Sequence, residues 1–113
     1  MTKIAIVILA GNEGHENMAR VTNALEAAKE FHEAGDELEL IFDGAGTQWI
    51  EKLDDESHDL HEIYSSVSEN SKACSFCASA FDTDIGDVEN SDENDGHPSF
   101  KELVDNGYEV ITF

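Results

Sequence analysis

The chain has 113 residues, 40% of them hydrophobic, and a formal net charge of −20 from 26 acidic and 6 basic residues. This length predicts a single domain, residues 1–113, that buries enough apolar surface to fold without disulfide bonds. The scarcity of Lys and Arg excludes the basic surface of a nucleic-acid binder or of a protein attracted to anionic membranes, and no apolar run is long enough to span a bilayer.

The first part of the chain alternates between strand and helix patterns. Residues 4–10 form a continuous aliphatic run, which is typical of a strand buried on both faces of a parallel sheet. Across residues 15–34 apolar side chains recur every three or four positions, which predicts a helix with one buried face, ended by Gly35. Glu37–Phe42 predicts a second strand, so the whole segment is expected to be a right-handed βαβ unit.

Shorter elements are predicted in the middle of the chain. The spacing of apolar residues indicates short helices around residues 49–53 and 60–67. The polar residues 68–72 predict a connection. Residues 73–81 are small and contain both cysteines, and we expect them to end a short strand and begin a helix.

The last part of the chain opens with an acidic segment. Residues 82–95 include seven acidic side chains, which predicts a solvated, mobile loop. Pro98 suits the first turn of a helix, and residues 108–113 predict a terminal strand. Alternating strands and helices of this kind predict an α/β fold, a three-layer sandwich with a mostly parallel sheet.

The acidic composition predicts a protein adapted to concentrated salt. In dilute buffer so many like charges repel one another and oppose the compact state, whereas at about 1 M salt the screening length falls to roughly 3 Å. With five Lys and one Arg, the balance resembles that of halophilic archaeal cytoplasmic proteins. The alternative is an acidic protein that binds a basic partner. We expect no signal peptide and a cytoplasmic location.

Cys74 and Cys77 are the strongest candidates for chemistry. In a cytoplasmic chain with no other cysteine, the pair suggests catalytic, redox or metal-binding thiols rather than a structural bridge. If Cys74 lies where a strand gives way to a helix, backbone N–H groups would lower its thiol pKa, and Lys72 would add to this effect. Cys77, one helical turn further on, would resolve an oxidised or sulfur-loaded Cys74 as a disulfide. The opposite interpretation makes both thiols small buried hydrophobic groups.

A metal site is the less favoured interpretation of the same two cysteines. Structural zinc takes four ligands, so two more would have to come from histidines, for which His15, His58, His61 and His97 are candidates. No second Cys/His pair has the spacing of a zinc finger, and we therefore expect no bound metal.

Several stretches of the chain resemble the DsrE-like family of small sulfur-relay proteins, and the resemblance covers nearly the whole length. It rests on the opening strand with its Gly-Asn-Glu-Gly turn at 11–14, on Leu-Ile-Phe-Asp-Gly at 40–44, on Ala-Cys-Ser-Phe-Cys-Ala at 73–78, on Gly-His-Pro-Ser at 96–99, and on Gly-Tyr-Glu-Val-Ile-Thr-Phe at 107–113. The family fold is a three-layer α/β sandwich with a largely parallel sheet, which agrees with the fold predicted above.

The resemblance implies a function for the cysteine segment. In sulfur-carrying members one cysteine at this place accepts sulfur as a persulfide and hands it on, and the matching position here is Cys74. We therefore expect a sulfur carrier that assembles as a trimer or hexamer and meets sulfur donor and acceptor proteins. Such chemistry needs an activated thiolate and a docking surface, so no cofactor is expected. Cys77 departs from single-cysteine carriers and leaves a dithiol redox role open, and a non-catalytic subunit with structural cysteines is the alternative.

Overall fold

A computed structural model of the chain describes residues 1–92 and 96–113. Within these residues the strands are β1 (Lys3–Ile8), β2 (Glu37–Phe42), β3 (Ser71–Ala73), β4 (Glu89–Asn90) and β5 (Glu109–Thr112). They form one sheet in the order β4-β3-β2-β1-β5, and each pairing between neighbours is parallel. The predicted α/β fold with a mostly parallel sheet is therefore confirmed.

Helices cover both faces of this sheet and make the three layers of the sandwich. They are α1 (His15–Glu33), α2 (Trp49–Asp54), α3 (His61–Val67), α4 (Ser75–Ala80) and α5 (Phe100–Asp105), with 3₁₀ turns at Gly44–Gln48 and Ser68–Asn70. The helices predicted around residues 15–34, 49–53 and 60–67 are thus confirmed. None of the helices in the described ranges is both long and apolar enough to cross a membrane.

The side chains of β1 alternate between the two faces. Ile4, Ile6 and Ile8 contact the larger core, which also holds the buried faces of α1, α2 and α3. Ala5 and Val7 lie on the opposite face, where side chains of α5 pack against them. All five are fully buried, and burial of each isoleucine contributes about 1.5–3 kcal/mol. A strand buried on both faces is what the continuous aliphatic run predicted.

The predicted connection at residues 68–72 is wrong in its second half. Ser71–Ala73 pairs in parallel with Leu40–Phe42 and forms β3. Three residues are too few to display the period-two pattern by which a strand is recognised. The strand exists because its neighbour β2 offers a free hydrogen-bonding edge, and its position decides where Cys74 lies.

The described part of the acidic segment, residues 82–92, contains a short strand that the predicted loop did not include. Glu89–Asn90 pairs with β3 as the edge strand β4. Ile85 and Val88, the segment's apolar residues, pack against the larger core and hold it to the sheet. Residues 93–95, the end of the predicted loop, lie outside the described residues.

Helix α5 begins at Phe100, so Pro98 lies ahead of the helix rather than in its first turn. Ser99 is the N-cap residue, and its Oγ accepts a hydrogen bond from the backbone N–H of Glu102 at 3.2 Å. Ser followed three residues later by Glu is the sequence of a capping box. After α5, β5 confirms the predicted terminal strand.

Candidate functional site

The candidate site lies where β2 and β3 end. These strands are parallel neighbours with Phe42 opposite Ala73, so Asp43 and Cys74 each follow one position beyond a paired residue. The Cys74 backbone N–H donates to the Phe42 carbonyl oxygen at 3.0 Å and extends the pairing. The register therefore brings Asp43 and Cys74 together at the carboxyl edge of the sheet, where ligands of open α/β sheets gather.

Helix α4 adds the second cysteine. Cys74 is the N-cap residue of α4, and its Sγ accepts a hydrogen bond from the backbone N–H of Cys77 at 3.3 Å. This confirms the change from strand to helix predicted within residues 73–81. Both thiols are free, with Cys74 buried and Cys77 half-buried. The pair is thus arranged with one sulfur below the surface and the other partly open to solvent.

Asp43 joins the site through Cys77. The Cys77 thiol donates to Asp43 Oδ1 at 3.4 Å, and the same oxygen accepts the backbone N–H of Gly44 at 2.9 Å. The Asp43 residue is only 5% exposed. It is absent from the residues predicted from sequence, although a carboxylate directly after a buried strand is a recognisable pattern.

The 3₁₀ turn after β2 depends on a glycine at position 46. A Cβ on Gly46 would lie 1.9 Å from the carbonyl oxygen of Ile8, at the end of β1. The Gly46 backbone N–H in turn donates to the carbonyl oxygen of Asp43 at 2.9 Å. This close approach holds the segment that carries Asp43 against the end of the central strand.

His97 reaches the site from beyond the acidic segment. Its Nδ1 lies 3.7 Å from Cys74 Sγ, and its ring contacts Phe100 edge-on, with 6.3 Å between the ring centroids. The preceding Gly96 has φ +80°, and a Cβ there would lie 2.0 Å from Ser75 Oγ. A residue without a side chain at position 96 therefore lets the chain pass against the start of α4 and brings His97 beside Cys74.

Together, Asp43, Cys74, Cys77 and His97 form one cluster. One ligand atom from each lies within 4.8 Å of every other. The other histidines considered as ligands are not members of this cluster in the described part of the chain. His58 Nδ1 accepts the backbone N–H of Leu60 at 3.0 Å, and His61 Nδ1 lies 2.7 Å from the Leu53 carbonyl oxygen.

The electrostatics of Cys74 differ from the expectation. The pKa of the Cys74 thiol is raised to about 12, chiefly by burial and then by the neighbouring Cys77 side chain and Asp43, while the hydrogen bond from the Cys77 backbone N–H acts to lower it. Lys72, expected to favour the thiolate, instead forms an ion pair with Glu39. The predicted lowering of the Cys74 pKa is therefore wrong, because desolvation outweighs the short helix that follows.

Large apolar side chains are exposed next to the cluster in sequence. Phe76 lies between the two cysteines in α4 and is 69% exposed, and Phe81 just beyond α4 is 43% exposed. Since both positions belong to the segment that carries the thiols, a partner that buried these rings would come close to Cys77.

Comparison with known proteins gives one clear relationship. The chain is 30% identical over 113 residues to the uncharacterized protein MJ0733 of Methanocaldococcus jannaschii, and the alignment covers 96% of this chain and 93% of that protein. No family model matches the chain, and no solved structure matches it.

Proposed function

The chain belongs to the family of the Methanocaldococcus jannaschii protein MJ0733, and we propose that it is a DsrE-like, cysteine-dependent carrier of persulfide sulfur. One observation carries the proposal: the half-buried Cys77 thiol is hydrogen-bonded to the buried Asp43 carboxylate, with Cys74 one helical turn away. A nucleophilic thiol beside a group that accepts its proton is the arrangement that covalent sulfur transfer requires.

Cys77 is the better first acceptor of sulfur. Cys74 has no solvent exposure, and burial raises its thiol pKa to about 12, so little of it is thiolate at neutral pH. Cys77 is more exposed and has a proton acceptor within hydrogen-bonding distance. This assignment exchanges the roles that the resemblance implies, in which Cys74 takes the sulfur first.

The loading step balances without a cofactor. Asp43 takes the proton of the Cys77 thiol, and the Cys77 thiolate attacks the outer sulfur of a donor persulfide. The S–S bond of the donor breaks, a new S–S bond forms on Cys77, and the donor leaves as a thiolate that recovers the proton from Asp43. The thiolate of an acceptor protein removes the outer sulfur by the same exchange.

Cys74 offers a second route for the bound sulfur. The two cysteine sulfur atoms lie within 4.8 Å of one another. Attack of Cys74 on Cys77 Sγ forms the Cys74–Cys77 disulfide and releases the outer sulfur as sulfide. The two cysteines are then oxidised, the sulfur is reduced, and an external thiol restores the carrier.

Assembly into a trimer or hexamer is part of the same proposal. Val104 of α5 is 60% exposed and Ile111 of the edge strand β5 is 40% exposed, and contact with further copies would cover such side chains. Light scattering at about 1 M salt is expected to give the mass of a trimer or hexamer, and a monomer would contradict this part of the proposal.

Intact-mass spectrometry tests the carrier function. Reduced protein at about 1 M salt is treated with a low-molecular-weight persulfide, beside Cys77→Ser and Cys74→Ser variants whose folding is checked by circular dichroism. We expect one added sulfur on Cys74→Ser and none on Cys77→Ser, and on the wild type either the added sulfur or the Cys74–Cys77 disulfide that its release as sulfide leaves behind. Loss of the adduct in Cys74→Ser alone would return the acceptor role to Cys74. Wild type that carries neither an added sulfur nor the disulfide, together with folded Cys74→Ser that carries no adduct, would overturn the proposal.

A further inference from the structure

The four side chains of the cluster at the carboxyl edge are also potential metal ligands, and this property does not depend on sulfur transfer. Two thiols, an imidazole and a carboxylate are all ligand types that zinc binds in proteins. Here they come from three separate segments: Asp43 after β2, Cys74 and Cys77 around the start of α4, and His97 beyond the acidic segment. Sequence spacing does not reveal such a set, because the fold alone brings its members together.

The separations within the cluster suit a tetrahedral ion. With metal–ligand bonds of about 2.0–2.3 Å, the ligand atoms of a tetrahedral zinc site lie about 3.3–3.8 Å apart. Cys77 Sγ is 3.4 Å from Asp43 Oδ1, and Cys74 Sγ is 3.7 Å from His97 Nδ1. These two pairs already have the required separations, and no pair of ligand atoms in the cluster is more than 4.8 Å apart.

Backbone groups hold the ligands in place. The Gly44 N–H donates to Asp43 Oδ1, and the Cys77 N–H donates to Cys74 Sγ. Outer contacts of this kind orient metal ligands and raise metal affinity. Since Asp43 is 5% exposed and Cys74 is fully buried, the inner side of the cluster is also shielded from water.

The cluster can hold both cysteines as thiolates only with a cation among them. Two thiolates and a carboxylate within 4.8 Å of one another repel strongly when all are ionised, and a divalent ion at their centre reverses that repulsion. We propose that Asp43, Cys74, Cys77 and His97 together bind one Zn²⁺ ion. Both cysteines bind as thiolates and release their protons to solvent, while His97 binds as the neutral imidazole.

The ligand set selects among metals. Thiolates disfavour Mg²⁺ and Ca²⁺, which prefer oxygen ligands, and the carboxylate and imidazole favour Zn²⁺ over Cu⁺. Because zinc occupies both thiolates, a zinc-bound chain has no free nucleophile for a persulfide. Zinc binding and sulfur loading are therefore mutually exclusive states of one site.

Titration with Co²⁺, a spectroscopic substitute for Zn²⁺, tests the metal site. Reduced full-length chain at about 1 M KCl is titrated with Co²⁺ in the presence of excess Mg²⁺, which occupies the surface carboxylates. We expect a thiolate-to-cobalt charge-transfer band and visible tetrahedral d–d bands, saturating at one equivalent and abolished by one equivalent of Zn²⁺.

Two variants locate the ion, one at the half-buried Cys77 and one at the exposed His97. Cys77→Ser is expected to remove most of the charge-transfer intensity, and His97→Ala to weaken Co²⁺ binding by more than about tenfold. His15→Ala, at an exposed histidine outside the cluster, is the matched control and should leave the titration unchanged. No charge-transfer band in folded wild type, or an unchanged titration in both variants, would overturn the proposal. Persulfide plays no part in this experiment, so failure of the carrier function leaves its outcome intact.

Discussion

The larger core beneath α1 and the cluster at the carboxyl edge are neighbours along β2, yet they are built on opposite principles. Phe42 is fully buried among apolar side chains and contacts Tyr64 edge-on, with 6.0 Å between the ring centroids. The next residue, Asp43, is almost as buried and lies against two thiols. The core stabilises the fold. That stability holds the carboxylate and the two thiols of the cluster in a fixed geometry.

Salt gives the largest expected effect, and it acts through the surface rather than through either region. The net charge of −20 predicts that the chain unfolds in dilute buffer and refolds at about 1 M KCl, where charge repulsion is screened. Circular dichroism across a KCl series measures this transition. Equal stability in dilute buffer and molar KCl would contradict adaptation to a high-salt interior.

Truncating the core is expected to have the next largest effect. Phe42→Ala removes a fully buried ring and should lower the free energy of unfolding by about 3–5 kcal/mol. Phe76→Ala is the matched control, because its ring is 69% exposed and its loss should change stability by about 0.5 kcal/mol or less. Urea unfolding at about 1 M KCl measures both. Similar losses of unfolding free energy in the two variants would contradict the distinction between the buried core and the exposed side chains around the cluster.

Gly96→Ala should disturb the cluster while leaving the core intact. The added Cβ would meet Ser75 at a positive φ, so the segment must shift and carry His97 away from Cys74. We expect a stability loss of about 1–2 kcal/mol together with Co²⁺ binding as weak as in His97→Ala. Gly107→Ala has a similar φ of +90° and no contact closer than 3.9 Å, so it should show the strain without the binding defect. Normal Co²⁺ affinity in Gly96→Ala would contradict this account of His97.

The smallest expected effect is a difference between the two thiols in their rates of reaction. In Cys77→Ser, the remaining Cys74 should react with iodoacetamide more than about tenfold more slowly in native protein than in urea. Because burial is the largest cause of its raised pKa, its rate should still be rising with pH where a thiol with the ordinary pKa of 9.0 has levelled off. Cys77, alone in Cys74→Ser, should react faster at every pH. Equal native rates would contradict the burial difference.

The same pKa shift makes the free energy of unfolding depend on pH. Since the folded pKa of Cys74 is raised from its ordinary value of 9.0 to about 12, the folded state favours the neutral thiol. The stabilisation is complete below about pH 9 and is lost as pH rises toward about 12. Wild type should therefore lose more stability over this interval than Cys74→Ser.

The fold was largely predictable because its central elements carry strong patterns. The aliphatic run of β1 and the apolar spacing of α1 mark a buried strand and an amphipathic helix without any tertiary information. β3 and β4 are three and two residues long, and strands of this length exist only through pairing with a neighbour. Sequence patterns that work over longer windows therefore miss them.

The site was predictable only where its residues are close in sequence. Cys74 and Cys77 share one helical turn, so their proximity follows from a local pattern. Asp43 meets them because β2 lies next to β3, and His97 because a glycine lets the chain approach α4. Strand order and close backbone approach are properties of the assembled fold, so Asp43 was missed, and His97, one of several histidines available as ligands, could not be placed beside the cysteines before the structure.

The most direct test of the central claim, that these four side chains act as one cluster, is sulfur loading followed by intact mass with and without zinc. Reduced protein at about 1 M KCl is treated with persulfide as the metal-free chain and after one equivalent of Zn²⁺. Without zinc we predict one added sulfur, placed on Cys77 by peptide mapping, or the Cys74–Cys77 disulfide that its release leaves, and with zinc we predict neither. Loading that is unchanged by zinc, or that occurs on neither cysteine, would contradict the account.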